Sequence, residues 1–167
     1  MADILAGRAF DCITVNWVFH HLVGKSYRTC WQNCLATLVC CKGLLKPNGV
    51  LIVAENMFDG YLRTNLPSHL IYRITSMRWP WFVGLARRFF NTAGTGVCFR
   101  SQRAWQQLFA QAGFEVVAFQ RGLVWWRGSF RGMLIPLLFL KSASNDHFFL
   151  KIADNREIYY TQGQEST

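Results

Sequence analysis

The chain has 167 residues, room for one domain with a real core, and its 51% hydrophobic and 16% charged content excludes a disordered tail. The formal charge of +9 and isoelectric point of about 9.6 suit anionic partners. The basic residues are scattered and the densest pair is Arg87-Arg88, with no stacking motif or compact basic face, so nucleic acid is disfavoured as a partner.

Cys12 to Trp17 (CITVNW) is a short β-rich run that reads as a buried strand. Val18 to Val23 carries the pair His20-His21 and ends at Gly24, a break. From Ser26 to Leu45 the pattern is helical, with Ser26 as N-cap. Tyr27, Trp31, Leu35, Leu38 and Leu45 form the expected apolar stripe, with Cys34 and Cys41 beside it. Lys46-Pro47-Asn48-Gly49 stops the helix and turns the chain. Val50 to Ala54 (VLIVA) is apolar without alternation, as in a parallel strand covered on both faces. Together these pieces predict a right-handed βαβ unit.

Met57 to Cys98 differs in character. It is rich in aromatic residues, broken by Pro67 and Pro80, and predicts one or two irregular helices forming a cover; Asn91 to Gly96 (NTAGTG) reads as a loop. Ser101 to Ala112 predicts a second helix, with Trp105, Leu108, Phe109 and Ala112 at i, i+3, i+4 and i+7 and Gly113 as the residue that ends it. Phe114 to Gln120 reads as a strand, Gly122 to Leu140 as an apolar insertion, and His147 to Ala153 as a last strand. Asp154 to Thr167 reads as a frayed tail.

The six cysteines include no C-x-x-C pair, and the four histidines add no pair at ligand spacing, so no metal site is expected and reduced thiols are the default. No signal peptide is visible. The longest apolar run, Met133 to Leu140, is interrupted by Pro136 and falls short of the roughly 20 residues a span needs. A cytoplasmic protein is the expectation. Its charge and segments such as Trp125-Trp126-Arg127 are compatible with resting on a membrane surface.

The order of three stretches is similar to class I S-adenosylmethionine-dependent methyltransferases: Phe10-Asp11 opening a strand, then His20-His21-Leu22, then Leu44-Leu45-Lys46-Pro47-Asn48-Gly49 before Val50 to Glu55. The Ser101 helix, Gly113-Phe114 and the strand after it resemble that family's following element. The resemblance implies an α/β fold, a partial Rossmann-like methyltransferase sheet. In the family's order 3-2-1-4-5-7-6 this chain supplies strands 4-5-7-6, the last strand antiparallel, with helices and an aromatic cover segment. It implies a partial methyltransferase domain over 1–153, with 57–98 as acceptor cover segment and 154–167 as C-terminal tail. The family's glycine-rich cofactor loop has no counterpart in this sequence. Gly94-Thr95-Gly96 follows no strand and is expected to be a simple loop.

The implied chemistry is methyl transfer from S-adenosyl-L-methionine to a small-molecule acceptor, incomplete in the isolated chain. The resemblance places Asp3 and Ile4 at the adenine, and Asn16 and Trp17 at the strand end that meets the methionine moiety. His20 and His21 follow that corner, where a neutral imidazole can serve as a base or simply cap the turn. Glu55 and Asn56, at the end of the second strand, are candidates for binding the acceptor. Tyr61, Tyr72, Trp79, Trp81 and Phe82 can wall an apolar acceptor pocket or form an aromatic core. The competing function is a non-catalytic binding or interaction module derived from the same fold. Such a module would pair with a protein partner through an exposed strand edge at Cys12 to Trp17.

Overall fold

The structure, a computed structural model, describes residues 7, 9–61, 65–86, 92–124 and 140–153. Four strands form one mixed sheet: β1 (Phe10–Asn16), β2 (Leu45–Gly60), β3 (Phe114–Val124) and β4 (Leu140–Ile152), in the order β1-β2-β4-β3. β1 and β2 run parallel, in register from Cys12 opposite Val50 to Asn16 opposite Ala54. A parallel pair needs a crossover, and α1 (Tyr27–Leu44) supplies it. β4 is antiparallel to both β2 and β3.

The second and last strands run longer than the apolar runs suggest. β2 continues past Ala54 to Gly60, because β4 begins at Leu140 and pairs with it along that whole length. Polar residues such as Glu55, Asp59 and Asn145 hid this extension, since they occupy ladder positions rather than turns. Lys46 to Asn48 lie within β2 as an exposed bulge against β1, between the pairs Phe10–Leu45 and Cys12–Val50.

The Ser26 hydroxyl accepts a hydrogen bond from the Thr29 amide at 3.1 Å and starts α1 as expected. Its buried face is Cys30, Cys34, Leu38 and Cys41; Tyr27, Trp31 and Leu35 are only half-buried. The stripe is therefore rotated from the one the large side chains suggest. Thiols are small and apolar enough to sit closest to the sheet, while the bulky rings occupy the flanks.

α4 (Gln102–Gln111) is capped by Ser101 and buries Ala104, Trp105, Leu108 and Phe109. Gly113 follows with φ +77°, the left-handed geometry that suits glycine at a helix end. α1 and α4 lie on the same side of the sheet. Cys34, Leu38, Trp105, Leu108 and Phe109 enclose Leu51, Val53 and Met57 of β2 and Phe148 and Leu150 of β4. Val50 and Ile52, on the opposite face, stay half-buried, so among the described residues β2 is not covered on both faces there.

Among its described residues the cover segment holds two helices, α2 (Leu66–Thr75) and α3 (Pro80–Ala86). The turn at 92–96 closes the end of α2: the amides of Gly94 and Gly96 donate to the Thr75 carbonyl at 2.8 and 3.1 Å. A side chain at Gly96 would lie 2.7 Å from Ser76 Oγ, and its φ is +81°, so glycine is required there. Among the described residues no helix is long and apolar enough to cross a membrane.

Candidate active site

β1 delivers the chain to the sheet's rim and stops at Asn16. Trp17 then turns it sharply, with φ +53°, a region that costs a non-glycine residue about 1–2 kcal/mol. Two bonds hold that corner: the Trp17 amide donates to Ala54 O at 2.9 Å, and its indole Nε1–H donates to Asn145 Oδ1 at 2.9 Å. The indole remains 52% exposed. A single 3-10 turn, Phe19–His21, follows and brings His20 over the next residue of β2.

That residue is Glu55. It is fully buried, one position beyond the last parallel pair, and both its oxygens are engaged. Oε1 accepts from the Phe19 amide at 2.7 Å, and Oε2 lies 2.7 Å from His20 Nδ1. A carboxylate in that position selects the tautomer with hydrogen on Nδ1, which leaves the Nε2 lone pair to act as acceptor or base. The His20 ring lies between His21, centroid distance 4.0 Å, and Phe99, at 5.0 Å. The His20 carbonyl accepts from the Cys98 amide at 2.9 Å, which fixes the backbone beneath the ring.

His21 is exposed. Burial of part of its ring is the main force lowering its pKa from 6.5, the neighbouring His20 adds to this, and Glu55 opposes it. His21 is therefore neutral at neutral pH.

The sequence candidates fall into separate groups. Asn16, Trp17, His20, His21 and Glu55 come together at the carboxyl end of β1, where its parallel pairing with β2 stops. Asn56 is half-buried and pairs with Asn145, the residue that also holds the Trp17 indole. Glu55, a candidate for binding the acceptor, is fully buried and contacts the Phe19 amide and His20. Tyr72 is buried against Tyr27, and its hydroxyl donates to Gly24 O at 2.9 Å. Tyr61, Trp79 and Trp81 are exposed by 71%, 59% and 68%. Asp3, Ile4, the Trp125-Trp126-Arg127 segment and the tail from Asp154 lie outside the described residues.

Two features had no sequence signal. Asn65, ahead of α2, donates to the Tyr27 hydroxyl at 2.9 Å and accepts from the Ser101 amide at 3.2 Å, joining the cover to both long helices. Arg100 is fully buried without an acidic partner among the described residues. Its guanidinium donates to the carbonyls of Cys98 and Cys30, both at 3.1 Å, and lies 5.0 Å from the Trp105 ring and 5.7 Å from the Trp31 ring. Carbonyl dipoles and ring faces there replace a carboxylate. Desolvation outweighs this cation at Cys34, whose thiol is pushed up to about 11.

No family model matches the sequence, and no curated protein matches it. Solved structures do match. LepI in complex with S-adenosylmethionine is 10% identical with a TM-score of 0.48, covering 87% of this chain and 27% of that one. A Leishmania major S-adenosylmethionine-dependent methyltransferase is 15% identical with a TM-score of 0.47, covering 86% and 39%. Mitomycin 7-O-methyltransferase MmcR is 12% identical with a TM-score of 0.48, covering 87% and 30%. The chain spans between 27% and 39% of the length of these three proteins.

Proposed function

We propose that the chain contributes the acceptor half of an S-adenosylmethionine-dependent methyltransferase acting on a small-molecule hydroxyl or amine, with His20 as base and Glu55 as its positioning group. The observation that carries this reading is the His20–Glu55 contact just past the carboxyl end of β1, where its parallel pairing with β2 stops, the kind of rim at which open α/β sheets bind their ligands. The strand order β1-β2-β4-β3, with one antiparallel strand, agrees with the 4-5-7-6 portion of the family sheet.

The rim residues fit one end of the cofactor. Asn16 is exposed, and Trp17 offers an exposed indole face on which a sulfonium can rest by cation–π attraction. S-adenosylmethionine, when bound, supplies an electrophilic methyl group. The rest falls to the chain's own residues. Glu55 holds the His20 ring and its tautomer. Nε2 takes the proton from the acceptor's hydroxyl or ammonium. His21, neutral and tilted against His20 at 4.0 Å, adds no positive charge beside that ring. In-line methyl transfer gains most from orientation, and the base adds to it.

The test is to incubate the whole chain with isotopically labelled S-adenosylmethionine and a panel of hydroxyl and amine acceptors, reading product mass. Methylated product that disappears in His20→Ala supports the reading. Product formed equally by His20→Ala counts against it.

A second reading is an interaction module, and it rests on the β1 edge. β1 is an outer strand of the four, and Cys12, Thr14 and Asn16 on it are exposed. A protein partner adding a strand there would protect the β1 amides without requiring His20.

A further inference from the structure

The 55 residues from Gly60 to Phe114 contain no Asp or Glu, yet carry seven arginines: Arg63, Arg73, Arg78, Arg87, Arg88, Arg100 and Arg103. In the middle of this stretch α3 and the residues before it present large apolar side chains to solvent. Met77, Trp79, Trp81 and Leu85 are exposed by 36%, 59%, 68% and 54%. The Trp79 and Trp81 rings stack at 6.0 Å. Trp81 and Leu85, four residues apart on a helix, share a face. Val83 points the other way, toward Gly94 in the turn that closes α2, so α3 is docked by that side.

Beside this face is a cavity of about 410 Å³ whose lining includes Lys25, Arg78, Tyr72 and Thr95. Arg78 sits in the chain between Met77 and Trp79, so the cation at the cavity and the apolar ring face are adjacent. An exposed tryptophan pair flanked by arginines, with no acid in reach along the chain, matches one environment in particular. Indoles partition to the interface of a bilayer, and arginines meet the phosphates there.

We propose that the segment from Met77 to Leu85 is a membrane-surface anchor for anionic phospholipid. The Trp79–Trp81–Leu85 face enters the interface, and Lys25 and Arg78 at the adjoining cavity hold a lipid phosphate. The site is independent of the chemistry proposed at His20. It gives a role to the exposed rings of Trp79 and Trp81.

The test is co-sedimentation of the full chain with vesicles of phosphatidylcholine, with and without phosphatidylserine. Binding is expected only with phosphatidylserine, and should weaken with salt. Lys25→Glu with Arg78→Glu should lower the partition by about fivefold or more per residue. Trp79→Ala with Trp81→Ala should lower it by about tenfold, from lost interfacial area. Leu123→Ser, which removes another strongly exposed apolar side chain on β3, should bind as the parent does. Should the tryptophan variant fail to fold, quenching of tryptophan emission in the parent by brominated lipid reads the same contact directly. Equal binding to neutral vesicles, parental binding by the tryptophan variant, or no quenching would overturn the proposal. So would a patch that drives self-association by sedimentation velocity without binding vesicles, because its occupant is then a second copy of the chain.

Discussion

His20 Nδ1 lies 2.7 Å from Glu55 Oε2, and the other oxygen of the same carboxylate holds the Phe19 amide. One buried side chain thus fixes both the ring and the backbone that carries it. Glu55→Gln keeps the volume, but its amide nitrogen then donates to His20 Nδ1 and moves the ring hydrogen to Nε2, the position of the base. We expect turnover to fall by about 10²–10⁴-fold, the range of a lost general base, with the cofactor dissociation constant nearly unchanged. Stability should fall by about 1 kcal/mol, read by urea unfolding, because a hydrogen bond to a charged group is replaced by one between neutral groups. A turnover change below about threefold would leave Glu55 a purely structural residue.

The pH dependence of stability has a definite sign at His21. Its folded pKa lies below 6.5, so the unfolded chain takes up the proton first. Stability from this group is complete above 6.5 and is lost as pH falls from there toward the lowered folded value. Melting temperatures of the parent and His21→Gln should diverge in that window, with the parent falling faster. Nuclear magnetic resonance titration of the His21 ring should give a pKa under 6.5; a value above it would reverse the sign.

Arg100 should resist conservative replacement. Lys cannot donate to two carbonyls 68 residues apart in sequence while stacking between rings, since its ammonium is a compact point charge. We expect Arg100→Lys to cost about 1.5–3 kcal/mol, the range for a hydrogen bond to a charged group, by chemical denaturation. A loss below about 0.5 kcal/mol would show that the carbonyls find other partners.

The cysteines should sort by burial. Cys12 and Cys40 are exposed, while Cys30, Cys34, Cys41 and Cys98 are buried, and burial raises the thiols of Cys34, Cys41 and Cys98. Brief alkylation followed by peptide mass mapping should modify Cys12 and Cys40 first. Early modification of Cys34 or Cys98 would contradict the packing of α1. Protection of Cys12 in the native chain would favour the second functional reading, in which β1 is covered.

Much of the scaffold was legible because its signals are local. Ser26 and Ser101 announce their helices by capping, Gly113 ends one by its backbone, and VLIVA shows a parallel strand. The extended ends of β2 and β4 were hidden, since their polar residues take ladder positions across the sheet. In the site, the nearness of Asn16, Trp17 and the histidines was legible from their place after a strand. The contact of Glu55 with His20 was not, because the two lie 35 positions apart and are brought together only by the crossover. Arg100 left no trace in the pattern at all, since its partners are carbonyls and rings from distant turns.

The most direct test of the central claim is a heteronuclear magnetic resonance titration of the full chain with S-adenosylhomocysteine. The Trp17 indole N–H, tied to Asn145, is a resolved reporter at the rim. Affinity should be weak, because the sequence offers no glycine-rich strand-to-helix turn to hold the carboxypropyl end. The account predicts saturable shifts concentrated at Asn16, the Trp17 indole and the His20 and His21 amides, absent with adenosine-free controls such as methionine alone. Saturating ligand that leaves these signals in place, or moves a different region of the sheet instead, would contradict it.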